Sequence, residues 1–187
     1  MKKCVNMENK TIVNGFKLAR PVRPAVIDIE ASGFGFQSYP IEVGIVLASG
    51  QRLSRLIKPL RSWTHWDSSA EALHGISRDQ LLQEGYAPRV VAEELNDILS
   101  GQTVYSDAWV VDKPWIDTLF DAVKINRDFR ISPIEAIFSE SQIEDWDLTK
   151  KRITEESGQP IHRALNDALL IQETFVATRK PVSSRIA

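Results

Sequence analysis

Apolar and polar positions along this chain alternate first, then switch to helical spacing. Residues 25–30 read as a strand and residues 41–48 as a second, both rich in β-branched side chains. Ser49-Gly50 supplies a tight turn into a third strand over residues 51–57, stopped by Pro59, so the three form an antiparallel meander. Ser77 and Gln80 have capping-box spacing and open a short helix. Pro88 opens another, in which Val91, Leu95, Ile98 and Leu99 make an amphipathic stripe ended by Gly101. Residues 102–106 then read as a strand reached through that helix, which predicts a parallel crossover. A helix follows over residues 112–123 with Trp115, Leu119 and Phe120 inward. Ser132-Pro133-Ile134-Glu135 is a second capping-box signature with proline at the first helical position. A helix over 146–156 is broken by Gly158 and Pro160, and the last runs over 163–177 with Leu165, Ala168, Leu169 and Phe175 on its buried side. Strands first, then helix and strand alternating, then helices, predict an α/β fold around a mixed sheet.

Three acidic segments stand out against this pattern. In Val26-Ile27-Asp28-Ile29-Glu30 the alternation of a strand puts Asp28 and Glu30 on one face, about 7 Å apart. Buried together without partners they would repel, and one would keep its proton. A divalent cation removes the conflict, and hard carboxylate oxygens suit Mg²⁺ or Mn²⁺. Taken alone, the tripeptide reads as two solvated acids at a strand end. His162 and Asp167 are five residues apart, about 140° on an ideal helix, and so would not share a face. Pro160 places His162 in the loop before the last helix and Asp167 in its second turn, from which a loop histidine can reach an ion held by Asp167. Between residues 105 and 115, Asp107 and Asp112 lie between a strand end and a helix start, where ligands gather in open α/β sheets. Asp112 reads equally as a helix N-cap with Pro114 in the first turn. The tryptophans Trp63, Trp66, Trp115 and Trp146 are assigned to the core.

Length and composition narrow the class. The 187 residues make about one domain, with 43% hydrophobic and 26% charged residues, ordinary for a globular chain. No apolar run reaches the roughly 18 residues of a membrane helix, and no apolar stretch follows the basic start, so a cytoplasmic location is expected. Cys4 is the sole cysteine, which excludes an internal disulfide and a cysteine-based zinc cage. Charge is uneven. Residues 1–23 carry six Lys or Arg against Glu8, a net +5, and residues 179–187 carry Arg179, Lys180 and Arg185, a net +3. With −2 overall, residues 24–178 hold −10. The expected organisation is a flexible basic arm (1–23), one domain (24–178) and a short basic tail (179–187). An acidic body does not suit long duplex DNA. It suits a short strand met through bound metal ions.

Taken in order, Asp28-x-Glu30, Asp112 and His162-x(4)-Asp167 resemble the DEDDh 3′–5′ exonuclease family of ribonuclease H-like fold, to which polymerase proofreading subunits, oligoribonuclease and ribonuclease T belong. Pro40-Ile41-Glu42-Val43-Gly44 looks like the family's second strand, Ile57-Lys58-Pro59 like the end of its third, and Leu73-His74-Gly75-Ile76-Ser77 like its segment near the 3′-terminal nucleotide. Two departures are visible. Ala31-Ser32-Gly33 stands where many members have Thr-Thr-Gly, and Tyr105-Ser106 where members often have His-Asn, with one extra residue before the mid-chain acid. The resemblance favours Asp112 over Asp107, because Asp112, Trp115, Ile116 and Phe120 match the spacing of the family helix after its catalytic Asp.

The resemblance implies two Mg²⁺ or Mn²⁺ ions, about 4 Å apart, held by Asp28, Glu30, Asp112 and Asp167. Asp28 would bridge both, Glu30 and Asp167 would hold the water-side ion, and Asp112 would act on the other. His162 would take the proton of the attacking water. Ser32, Gly33, Phe34, Leu73, His74 and Ile76 would contact the terminal nucleotide. The products would be nucleoside 5′-monophosphates, released from single-stranded DNA or RNA 3′ ends. Oligoribonuclease-like members dimerise, though the sequence itself carries no sign of an oligomer. The competing expectation is a non-catalytic nucleic-acid-binding module on the same fold.

Overall fold

The computed structural model describes residues 10–13, 16–19 and 23–179. Most of the basic arm and all but Arg179 of the basic tail fall outside these residues, and with them the flexibility expected there. Within the arm, β1 (Lys10–Val13) and β2 (Phe16–Ala19) pair antiparallel as a small sheet of their own, where the sequence pattern placed no element.

The main sheet has five strands: β3 (Val26–Ala31), β4 (Pro40–Val46), β5 (Arg52–Leu56), β6 (Thr103–Ser106) and β7 (Arg130–Pro133), in the order β5-β4-β3-β6-β7. The first three form the expected antiparallel meander, and β6 joins β3 in parallel, as does β7 to β6. All seven residues of β4 are buried, as a central strand covered on both faces requires. The helices are α1 (Ser68–His74), α2 (Arg78–Glu84), α3 (Pro88–Leu99), α4 (Trp109–Val123), α5 (Glu140–Ser157) and α6 (Ala164–Ala177), with a 3-10 turn at Ile134–Ile137. Ile27, Ile29, Val43 and Ile45 face α3 and α4. Val26, Val46 and Tyr105 face Trp146 of α5 and Ala168, Ile171 and Phe175 of α6. The α/β fold around a mixed sheet is therefore as the pattern implied.

Several local readings are corrected. Ser132 opens no helix: it lies in β7 opposite Tyr105, and the 3-10 turn begins after Pro133 with no side-chain cap. Pairing of Ile131 with Val104 at the sheet edge outweighs the local cap signature. Asp112 is not an N-cap, because α4 starts a turn earlier behind Ala108 and keeps Pro114 inside it. The capping box that does form is Ser139 with Gln142, so α5 begins at Glu140, before the expected start at 146. Its buried residues are only Gln142 and Trp146, too few to show a stripe. Among the four tryptophans assigned to the core only Trp146 is buried; Trp63, Trp66 and Trp115 are half-buried, as are Leu165 and Leu169.

Candidate active site

The site is built at the end of β3 by the first turn of α6. Strand alternation puts Asp28 and Glu30 on the face of Val26, toward α6, while Ile27 and Ile29 enter the opposite core. Gly44 is the register partner of Asp28, and a Cβ there would overlap the Ala164 carbonyl carbon and the Leu165 nitrogen. A bare glycine thus lets α6 lie directly on the sheet, which brings Asp167 over β3. Glu42, the partner of Glu30, is 1% exposed. It accepts from Arg163 Nη2 (2.7 Å) and Nε (3.1 Å), from Ser54 Oγ (3.1 Å) and from the Ala164 N–H (3.1 Å). The N-cap residue Arg163 makes no side-chain cap, so this strand carboxylate supplies it, where the helix dipole favours an anion.

His162 has φ 61°, in the left-handed region, and its N–H donates to Asp167 Oδ2 at 2.8 Å. The loop conformation resolves the five-residue spacing. Glu30, His162 and Asp167 each present a ligand atom within 4.8 Å of the other two. Asp167 stands in the first turn of α6, not the second, because the helix begins at Ala164.

The mid-chain acid is placed by a split in the sheet. β3 and β6 pair only at Val26 and Tyr105. Beyond that point the Ile29 N–H donates to the Asp112 carboxylate, which also accepts from Ser106 Oγ. Asp112 is 1% exposed. Asp107 turns instead to Lys150 of α5 in an ion pair. Of the acids that press on Asp28, Asp112 acts most strongly and Asp107 least. Asp112 therefore lies beside Asp28, whereas Asp107 is held by Lys150.

These carboxyls all ionise late. Asp28 is raised well above the ordinary range by burial, then by Asp112, Asp167 and Glu30. Burial, with Asp167, Glu42 and Asp112 adding to it, pushes Glu30 up to about 8, and Arg163 opposes this. Burial pushes Asp112 up to about 7, against the hydrogen bond from Ser106. Asp167 is raised by burial and eased by the His162 N–H and by Lys150. Four acids that cannot all ionise side by side, with the ligand atoms of Glu30, His162 and Asp167 gathered together, fit divalent cations of the Mg²⁺ or Mn²⁺ kind.

A cavity of about 160 Å³ adjoins this cluster, lined by Glu30 and His162 on one side and by Gly33, Phe34, Leu73, His74 and Trp115 on the other. The structure thus gathers four of the six residues expected at the terminal nucleotide. Ser32 and Ile76 are elsewhere. Ser32 is buried, its hydroxyl paired with His65 Nδ1 (3.0 Å) and accepting from the Tyr39 N–H (3.2 Å). Ile76 packs with Tyr39, Ile41 and Leu81, and its N–H donates to His74 Nδ1 at 3.0 Å. Burial lowers the His74 pKa, so the ring is neutral with its proton on Nε2, a buried atom with no partner among the described residues. Gly33, at φ 136°, makes the turn after β3; a Cβ there would come within 2.6 Å of Asp67 Cβ. Trp115 is the residue the sequence reading missed. Its ring lies 6.1 Å from that of Phe34 and its Nε1 donates to Ser38 Oγ at 3.0 Å. The signal was its position three residues after Asp112, on the same side of α4.

No protein-family model matches the sequence, and no curated protein sequence does either. Solved structures do match. E. coli exonuclease I in complex with a dA16 oligonucleotide has a TM-score of 0.63 at 13% identity, over 84% of this chain and 41% of that one. The zinc-ion-bound form of the E. coli enzyme with single-stranded DNA has 0.64 at 12%, over 86% and 42%. A moderately thermophilic exonuclease I from Methylocaldum szegediense has 0.63 at 14%, over 84% and 41%. The chain spans less than half the length of these proteins, and at such identity the likeness establishes the shared fold.

Proposed function

We propose that this chain is a metal-dependent 3′–5′ exonuclease that hydrolyses phosphodiester bonds of single-stranded nucleic acid and releases nucleoside 5′-monophosphates. What carries the reading is the convergence of Asp28, Glu30, Asp112, Asp167 and His162 beside one small cavity walled by Phe34, Leu73 and Trp115. Asp28, Glu30, Asp112 and Asp167 would hold two Mg²⁺ or Mn²⁺ ions. Bound there, the ions would acidify the attacking water and stabilise the leaving 3′-oxygen. His162, on a loop pinned to Asp167, accepts the water's proton. Asp112, held by the Ile29 N–H and Ser106, keeps a fixed oxygen beside Asp28. Phe34 and Trp115 flank the terminal base, as aromatic rings do with single strands. The cavity beside the acids is small, about 160 Å³, which favours a chain end over an internal bond. The complexes of the structural neighbours with dA16 and single-stranded DNA favour DNA as the first polymer to try.

The test is incubation with 5′-labelled single-stranded DNA and RNA oligomers, with Mn²⁺ or with EDTA, beside an Asp28→Ala/Glu30→Ala variant. A metal-dependent ladder shortening from the 3′ end, absent in the variant, is expected and identifies the preferred sugar. No cleavage of either polymer, despite a metal-induced rise in melting temperature, would sink the nuclease reading in favour of a binding module.

A further inference from the structure

The free edge of the main sheet carries charge of the opposite sign to the body around it. β7 pairs only with β6, and beside them lies a cavity of about 600 Å³, well within the range of small-ligand sites. Lys113, Arg127 and Arg130 line it, over apolar surface from Tyr105, Ile131 and Ile137. One acid serves two of the cations: Asp117 lies 2.5 Å from Lys113 Nζ and 3.2 Å from Arg127 Nη2. Arg127 is held further by the Phe129 carbonyl at 3.1 Å and by the Phe129 ring, whose centroid lies 5.3 Å from the guanidinium carbon. Arg130 has no ion-pair partner among the described residues. Three cations against one acid around a single recess, in a body of net −10, leave an uncompensated positive field that an anion would offset. The guanidinium fork of Arg130 matches phosphate oxygens, with Lys113 and Arg127 adding positive charge beside it, and the apolar floor matches a flat ring. Tyr105 precedes Ser106 and Lys113 follows Asp112, so the recess shares two elements with the acidic centre yet is lined by different side chains.

We propose that this recess is a second binding site, for a phosphate group joined to a flat apolar ring, that is, a nucleotide unit, and that it works independently of the acidic centre. The unit comes either as a free mononucleotide or within a strand. The experiment is calorimetric titration of the full chain in EDTA with adenosine 5′-monophosphate, inorganic phosphate and a short deoxyadenylate oligomer. It is run on the unaltered protein, on Asp28→Ala/Glu30→Ala and on Arg130→Glu, whose exposed position should leave the melting temperature unchanged. Saturable binding of the mononucleotide or the oligomer is expected, with a component that persists in Asp28→Ala/Glu30→Ala and is weakened roughly tenfold to a hundredfold by Arg130→Glu. Tighter binding of the oligomer identifies a strand as the source; equal or tighter binding of the monophosphate identifies the free nucleotide. No saturable binding, binding indifferent to Arg130→Glu, or inorganic phosphate bound as tightly as the nucleotide overturns the proposal. Because the titration needs neither metal nor hydrolysis, failure of the nuclease reading would leave its result standing.

Discussion

His162 and Glu42 show how much of the site rests on single side chains. Removing the imidazole in His162→Ala deprives the water of its proton acceptor, so kcat should fall by roughly 10² to 10⁴. Binding of a DNA 3′ end, measured in EDTA by fluorescence anisotropy, should hold; a variant that cleaves at the original rate would remove His162 from the chemistry. Glu42 touches no substrate, yet it joins β4 to Arg163 and to the first N–H of α6. Glu42→Ala leaves those donors without their acceptor and should cost about 1–3 kcal/mol in urea unfolding. Glu42→Gln retains an acceptor oxygen and should cost less; equal losses would mean that the charge, not the hydrogen bonds, matters. At this scale Asp28 and Glu30 were legible, because strand alternation alone puts them on one face. Ser32, Ile76 and Trp115 were not, since which way a loop or helix residue turns depends on what packs over it.

Elements were legible where one face is apolar and caps are strong. The stripe of α3 and the β-branched strands announced themselves, whereas α1 has a single buried residue, His74, and gave no periodic signal. β7 read as a helix start because Ser132 and Glu135 mimic a cap; only the neighbouring strand shows that the segment is extended. The seat of α6 on the sheet is equally a matter of contact. Gly44→Ala forces a methyl group into the backbone of Ala164 and Leu165, an overpacking that should cost about 1–3 kcal/mol. Because the displaced turn carries Asp167, hydrolysis should fall more than the folded fraction does, when both are measured on one preparation. Unaltered unfolding and hydrolysis would refute the idea that bare backbone at 44 seats the helix.

Over the whole molecule the acidic centre ties stability to pH and metal. Folded, Glu30 keeps its proton up to about 8 and Asp112 up to about 7. Unfolded, both ionise near the ordinary carboxylate values of about 4. Between these limits the folded chain binds more protons than the unfolded one, so metal-free stability falls as pH rises through the window and levels off above it. Divalent ions bind the ionised carboxylates, releasing protons, and their stabilising effect grows with pH. The melting temperature in EDTA should be lower at about pH 8 than at about pH 6, and the rise on adding Mn²⁺ larger at about pH 8. Glu30→Gln should flatten the metal-free slope, and a Mn²⁺ effect larger at the lower pH would contradict the account. No helix among the described residues is long and apolar enough to cross a membrane. By itself the sequence determined the fold class, the antiparallel meander, the shared face of Asp28 and Glu30, and the loop position of His162, because hydrophobic period, turn chemistry and proline act locally. Only the tertiary structure decided that Asp112 and not Asp107 stands beside Asp28, that Glu42 caps α6, and that Trp115 faces Phe34. Those outcomes depend on which backbone groups the sheet leaves unpaired and how closely a helix can approach it, and neither is written in any one segment.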